Sequence, residues 1–115
     1  MNVNAESYGQ AVLINVNGEL NEDALNVFRE TIEHQLQTQD VIDVVINLEA
    51  VPFIDSAVFE YLLELQDQLA GRMGQVKMVN CDENIMKILE ITRMSKEFEL
   101  YPDIAQAVKA TGGQH

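Results

Sequence analysis

The run Val41-Ile42-Asp43-Val44-Val45-Ile46-Asn47-Leu48 constrains the fold more than any other stretch of the chain. It is β-branched and close to continuously apolar, the pattern of a strand covered on both faces and hence central in a sheet. Upstream, Val3–Ser7 and Ala11–Asn17 flank Tyr8-Gly9-Gln10, a glycine-containing turn that predicts an opening β-hairpin. Downstream, Gln75-Val76-Lys77-Met78-Val79 alternates like a strand, and Phe98-Glu99-Leu100-Tyr101 reads as a short last one.

Helical stripes separate these strands. Leu25, Phe28, Ile32 and Leu36 recur at spacings of three and four, and so do Val58, Leu62, Leu65 and Leu69. Asn21, Asp55 and Asp82 stand where N-caps belong, the last before a helix carrying Ile85, Ile88 and Leu89. Gly71 and Gly74 end the second stripe, and Pro102-Asp103 opens a short final helix over Ile104–Lys109. Alternating strands and helices imply parallel pairing with right-handed crossovers. The predicted fold is α/β: a mixed sheet of four or five strands opening with an antiparallel hairpin, helices packed mainly on one face. A single domain is expected over residues 1–110, with Thr111-Gly112-Gly113-Gln114-His115 as a frayed tail.

With 115 residues, 47% of them hydrophobic, the chain is long and apolar enough to bury one core rather than remain disordered. It has no apolar run near the roughly 20 residues of a membrane span, and MNVNAESYGQ carries no export signal. The single cysteine, Cys81, cannot form an internal disulfide and reads as a small apolar core residue. These features point to a cytoplasmic protein. His34 and His115 have no second His or Cys at ligand spacing, so no metal is expected. The formal charge of −12 opposes binding to nucleic acid or anionic lipid and suits a basic protein partner. A monomer is the simplest assembly.

Catalytic signatures are missing. Gly71-Arg72-Met73-Gly74 follows a helix and precedes a strand, which is a helix-ending turn and not a phosphate loop. The first strands end in Asn17-Gly18-Glu19, without the acidic cluster that a receiver domain uses to hold magnesium. Ser56 has neither a Gly-x-Ser-x-Gly context nor a histidine placed as its base. No enzyme activity and no cofactor are expected.

The segment Val51-Pro-Phe-Ile-Asp-Ser-Ala-Val-Phe59 stands out, because an apolar approach delivers Asp55 and Ser56 to a helix start. If Asp55 caps the helix, Ser56 occupies the first turn with its hydroxyl free. Ordinary capping explains the same dipeptide, and the residues alone leave both readings open.

At this motif the chain resembles the STAS family, the sulfate-transporter and anti-sigma-factor-antagonist domain. Ala11-Val-Leu-Ile-Asn-Val-Asn-Gly-Glu-Leu-Asn21 resembles the family's second strand and Gly-x-Leu-Asp turn, with Asn21 in place of the aspartate. Val44-Val-Ile-Asn-Leu-Glu-Ala-Val-Pro-Phe-Ile-Asp-Ser56 resembles the central strand and its phosphorylation loop. Asp55-Ser56-Ala57-Val58 lacks the glycine usual after that loop, and Phe98–Ala107 is similar to the closing strand and helix.

The resemblance implies that Ser56 matches the serine phosphorylated by a partner kinase. It further implies a partner switch, in which the unphosphorylated domain binds an anti-sigma or serine-kinase regulator, phosphorylation releases it, and a phosphatase restores binding. The output would be a sigma factor or another process such as biofilm or secretion control. The docking surface is expected to comprise Gly18, Glu19, Asn21, Asp55, Ser56, Ala57, Phe59, Glu60 and Leu63. Phe59 and Leu63 lie roughly 100° or more from the core stripe, where they either serve a partner groove or are covered by neighbouring helices. The competing reading is a constitutive accessory subunit of a membrane-transporter ATPase. A small-ligand sensor would need an apolar pocket that the sequence neither reveals nor excludes.

Overall fold

Strands β1 (Asn2–Tyr8) and β2 (Ala11–Asn17) form the antiparallel hairpin that opens the computed structural model, which describes residues 2–111. Gly9 begins its two-residue loop with φ +64°, the position where type II′ hairpin loops take glycine. β3 (Asp43–Ala50), β4 (Val76–Val79) and β5 (Glu99–Tyr101) join in parallel, giving the spatial order β1-β2-β3-β4-β5. The central strand begins two residues later than the apolar run suggests. The amides of Ile42 and Asp43 instead donate to Gln10 O in the hairpin loop, at 2.8 and 3.2 Å.

Helices α1 (Leu25–Gln35), α2 (Ser56–Ala70) and α3 (Glu83–Ile91) bury Phe28, Ile32, Leu62, Leu65, Ile85 and Leu89 in one core. The sheet side chains in that core are Val12, Ile14, Val44, Ile46, Val76 and Met78. On the opposite face the short α4 (Ile104–Lys109) places Ala107 over Ala11, Leu13, Val45 and Val79. Neighbours in β2 and β3 therefore point into different cores, which explains why those strands read as continuous apolar runs. Mixed pairing with helices mainly on one side is the fold expected from the sequence.

α2 ends at Gly71, as the sequence suggests. The left-handed residue of this ending is Met73, at φ +63°, while Gly74 N–H donates to Leu69 O at 2.8 Å and Met73 N–H to Ala70 O at 3.0 Å, a Schellman ending. Gly74 is required for space, because a Cβ there would lie 1.8 Å from Ile42 O. Thr111, expected in the frayed tail, is tied to the sheet: its hydroxyl donates to Asp43 Oδ2 at 2.7 Å and accepts from Lys77 Nζ at 3.1 Å. Gly112 to His115 lie outside the described residues.

Candidate functional site

The loop leaving β3 is zipped to the turn leaving β2. Gly18 N–H donates to Ala50 O at 3.0 Å, Leu20 N–H to Phe53 O at 2.9 Å, and Asp55 N–H to Leu20 O at 2.8 Å. The apolar pair Leu20 and Ile54, 0% and 2% exposed, pins this seam from below. Gly18 sits at φ +122°, a conformation that side-chain-bearing residues rarely adopt. Asn21 Oδ1 accepts from Ala24 N–H at 2.9 Å and so caps the turn that leads into α1. Gly18, Glu19 and Asn21 are thereby brought against the start of α2, as expected. On the other side, Asn84 of α3 donates to Pro52 O at 2.9 Å.

Asp55 is the N-cap of α2, and its Oδ1 accepts from Ala57 N–H at 3.2 Å. Ser56 occupies the first turn and is exposed, as the sequence suggests. Its hydroxyl is not without a partner, however: Oγ donates to the same Asp55 oxygen at 3.2 Å, leaving its lone pairs to solvent. Capping and presentation of the hydroxyl are thus two uses of one carboxylate. Glu60 is exposed a turn further on, and Ala57 and Leu63 are half-buried.

Phe59 departs from expectation. It is 4% exposed and belongs to the main core, so it is not available to a partner in this conformation. The reason is that α2 lies between two other segments and needs a wide apolar arc. Tyr61 meets Phe28 and Glu33 of α1 on one side, the hydroxyl donating to Glu33 Oε2 at 2.9 Å. On the other side Gln66, on the same helical face as Phe59, accepts from Val76 N–H and donates to the carbonyl of Glu97.

Two other apolar residues are exposed on the elements around the loop, and the sequence reading missed both. Phe53 is 44% exposed on the pinned loop, and Val27 is 48% exposed on α1. Val27 lines an open hollow of about 410 Å³ together with Gly18, Glu19, Asn21, Asp23 and Ala24. Val27 falls off the Leu25, Phe28, Ile32 stripe, and that signal was present in the sequence.

Acidic residues flank the loop: Glu19 is exposed on the turn hydrogen-bonded to it and Glu60 on α2 beyond Ser56. His34 lies in the last turn of α1, the far end of that helix, and gives Ser56 no base. Among the described residues no group of three His, Cys, Asp or Glu side chains could hold a metal ion, and no helix is long and apolar enough to cross a membrane. The Cys81 thiol is half-buried against the main core, and burial, with the Asp82 charge adding to it, pushes its pKa up to about 11. That leaves it a protonated thiol and a poor nucleophile at neutral pH. The site is an exposed serine hydroxyl in the first turn of α2, hydrogen-bonded to the capping Asp55.

Known proteins share this layout. A STAS-domain containing protein of Pseudomonas aeruginosa (strain UCBPP-PA14) is 28% identical over 92 residues, covering 80% of this chain and 89% of that one. An anti-sigma factor antagonist from Mycobacterium paratuberculosis superposes with TM-score 0.82 at 22% identity, over 95% of this chain and 92% of its own. The anti-sigma factor antagonist SpoIIAA in its unphosphorylated form gives TM-score 0.76 at 19% identity, over 97% and 99% of the two chains. Its phosphorylated Bacillus form gives 0.71 at 19% identity, over 94% and 97%. At such identities the superpositions establish the fold. The STAS domain family model matches residues 2–107, and the chain belongs to the STAS domain family.

Proposed function

We propose that this chain is a non-enzymatic, cytoplasmic regulator that docks a partner of the anti-sigma or serine-kinase type around Ser56. Phosphorylation of Ser56 releases the partner, and a phosphatase restores docking. The observation that carries the reading is the exposed Ser56 hydroxyl in the first turn of α2, oriented by Asp55 on a loop held rigid by the Gly18–Asn21 turn. The likeness to SpoIIAA, solved in both phosphorylation states, supports it.

The electrostatics favour release. A phosphoserine carries about −1.5 to −2 charges at pH 7. Phosphorylation also removes the hydrogen that Ser56 gives Asp55, and sets a second anion beside that carboxylate. An interface closing over an unpaired charge loses on the order of 2–5 kcal/mol. At about 1.4 kcal/mol per tenfold, that is a loss of some 30-fold or more in affinity. No rearrangement of the fold is needed.

The test is an affinity pull-down from the native cells with Ser56→Ala and Ser56→Asp, bound proteins being identified and their affinities measured. The alanine protein is expected to hold the regulator and the aspartate protein to lose it. Equal binding by both, together with no phosphate on Ser56 in native protein by mass spectrometry, overturns the switch in favour of a constitutive accessory subunit.

A further inference from the structure

The two edges of the sheet are defended differently. At one end β5 is three residues long and stops at Pro102, and shortness and proline both discourage a sheet edge from taking on a further strand. At the other end β1 is seven residues long, contains no proline or lysine, and pairs with β2 in unbroken register from Asn2↔Asn17 to Tyr8↔Ala11. In a hairpin closed by a two-residue loop the flanking pair exchanges both backbone bonds, and bonded pairs then alternate along the ladder. Tyr8, Glu6, Asn4 and Asn2 therefore bond inward to β2. Val3, Ala5 and Ser7 aim their N–H and C=O groups outward, where no second strand meets β1 among the described residues.

A helix flank overhangs this edge. α1 packs on β1 and against α2, and α2 packs on β4, so α1 is the outermost helix on its face of the sheet. Its inner flank carries Arg29 and Glu33, which both meet Tyr61 of α2. Val27 and Thr31 each precede one of these by two residues, about 200° around the helix, and so face away from α2 and out past β1. Val27 is 48% exposed, and the Thr31 hydroxyl donates to Val27 O at 2.8 Å, so this flank presents methyl groups and no charge. Val3 and Ala5 pack half-buried against the main core below it, which places the outward backbone groups of β1 and the Val27–Thr31 flank along one strip of surface. On the opposite face of β1 stands its only charged side chain, Glu6. Glu6 Oε2 accepts from Asn15 Nδ2 at 2.6 Å, and Oε1 has no partner among the described residues.

We propose that β1 takes up an extended segment of another protein as an added antiparallel strand, its apolar side chains seated on Val27 and Thr31 and its basic ones against Glu6. The alternation follows from strand geometry, because successive side chains of an added strand point to opposite faces of the sheet. A second copy of this chain does not fit the same edge. Edge-to-edge pairing would set its β1 about 4.8 Å away. Its α1, which stands over that strand, would then fall inside the roughly 8–10 Å that packed helices need. The formal charge of −12 on each chain opposes such a pair further. A single extended segment meets neither obstacle. The proposal does not rest on the Ser56 switch, since the β1 edge and the first turn of α2 are separate elements.

The experiment is an NMR titration of the isotope-labelled full chain with a short acetylated peptide of alternating Val and Lys. Amide shifts are expected over residues 2–8 and at Val27 and Thr31, and not at Ser56. In an antiparallel pair the residues bonded to Val3, Ala5 and Ser7 carry their side chains on the α1 face, so these are the valines of the peptide. Methylating the backbone nitrogens of the valines is expected to abolish binding. Methylating those of the lysines, which leaves charge and composition the same, is expected to preserve it. Ser7→Pro removes one outward N–H at an exposed position of an edge strand, where proline is tolerated, and is expected to weaken binding several-fold. Val27→Ser is expected to weaken it to a similar degree. Ser56→Asp is expected to change nothing, which keeps failure of the switch separate from failure here. The proposal is overturned if residues 2–8 do not respond at millimolar peptide. It is equally overturned if the two methylated peptides bind alike, which would mark unspecific attraction of a basic peptide to an acidic chain. Sedimentation showing that the chain pairs with itself through residues 2–8 would also overturn it, with a second copy as the occupant.

Discussion

Lys77 Nζ lies 2.8 Å from Asp43 Oδ2, and the two side chains are 0% and 3% exposed, so the sheet carries a charged pair sealed beneath α4. The pair is fully hydrogen-bonded. Lys77 also donates to Ala107 O and Thr111 Oγ1, both at 3.1 Å, and Asp43 Oδ1 accepts from Gln75 N–H at 2.8 Å. Removing one partner alone strands a buried charge, so Asp43→Ala is expected to lose about 3–5 kcal/mol of stability. Asp43→Leu with Lys77→Met, which removes both charges, is expected to recover most of that loss. Urea denaturation of the single and double variants measures this, and a cost below about 1 kcal/mol for Asp43→Ala would refute a sealed pair.

How much of this was legible follows from whether the cause is local. The hairpin and the Asp55 cap depend on neighbouring residues, so Tyr8-Gly9-Gln10 and Asp55-Ser56 announce them. The Lys77–Asp43 pair depends on register: Lys77 pairs opposite Val45, one step diagonal from Asp43, and α4 returns over both. In sequence Asp43 is only an interruption of an apolar run and Lys77 only the polar half of an alternation. Phe59 was misplaced for a similar reason. A helical stripe gives the centre of the buried face but not its width, which here is set by α1 on one side and the segment after α3 on the other. The flanking of Ser56 by Gly18–Asn21 was readable because parallel pairing of β2 and β3 puts both strand ends on one edge.

Gly74 and Met73 at the end of α2 can be tested in opposite directions. Gly74→Ala sets a Cβ 1.8 Å from a backbone oxygen that cannot swing aside, and a loss of about 1–3 kcal/mol or more is expected. Met73→Gly relieves a left-handed residue that is 91% exposed and buries nothing. Relief of about 1–2 kcal/mol, partly offset by added freedom in the unfolded chain, leaves a gain of up to about 1 kcal/mol. Thermal melting of the two variants distinguishes these roles, and a Gly74→Ala protein as stable as the original would remove the packing claim.

Cys81 and Tyr61 make the fold sensitive to alkali. Burial raises the Cys81 pKa to about 11, and burial with the Glu33 hydrogen bond drives Tyr61 far above the usual tyrosine value. Both are neutral when protonated and both pKa values are raised in the fold, so their contribution is intact below the unfolded values and declines as pH climbs through the folded ones. Iodoacetamide alkylation of the folded protein is expected to keep accelerating up to about pH 11. In denaturant it should level off near the free-thiol value of about 8.5. A plateau at the free-thiol value in the folded protein would contradict a buried thiol. Tyr61→Phe is expected to flatten the loss of stability above pH 10.

Asp55 serves the helix and the hydroxyl at once, and its two functions separate by substitution. Asp55→Ala removes the acceptor for Ala57 N–H and for Ser56 Oγ, at a cost of about 0.5–2 kcal/mol. Asp55→Asn keeps an oxygen in the capping position and removes the charge, so its stability is expected within about 0.5 kcal/mol of the original. The phosphorylated forms are more telling. A phosphate on Ser56 gains about 0.3–1 kcal/mol from the α2 N-terminus, but beside the Asp55 carboxylate that gain is offset by repulsion. Phosphorylation is therefore expected to raise the melting temperature of Asp55→Asn and to leave that of the unaltered chain close to unchanged. Thermal melting of both proteins, with and without phosphate, measures the difference. Equal shifts in the two would mean that the carboxylate swings clear of the phosphate, and the claim that phosphorylation sets two anions side by side would fall.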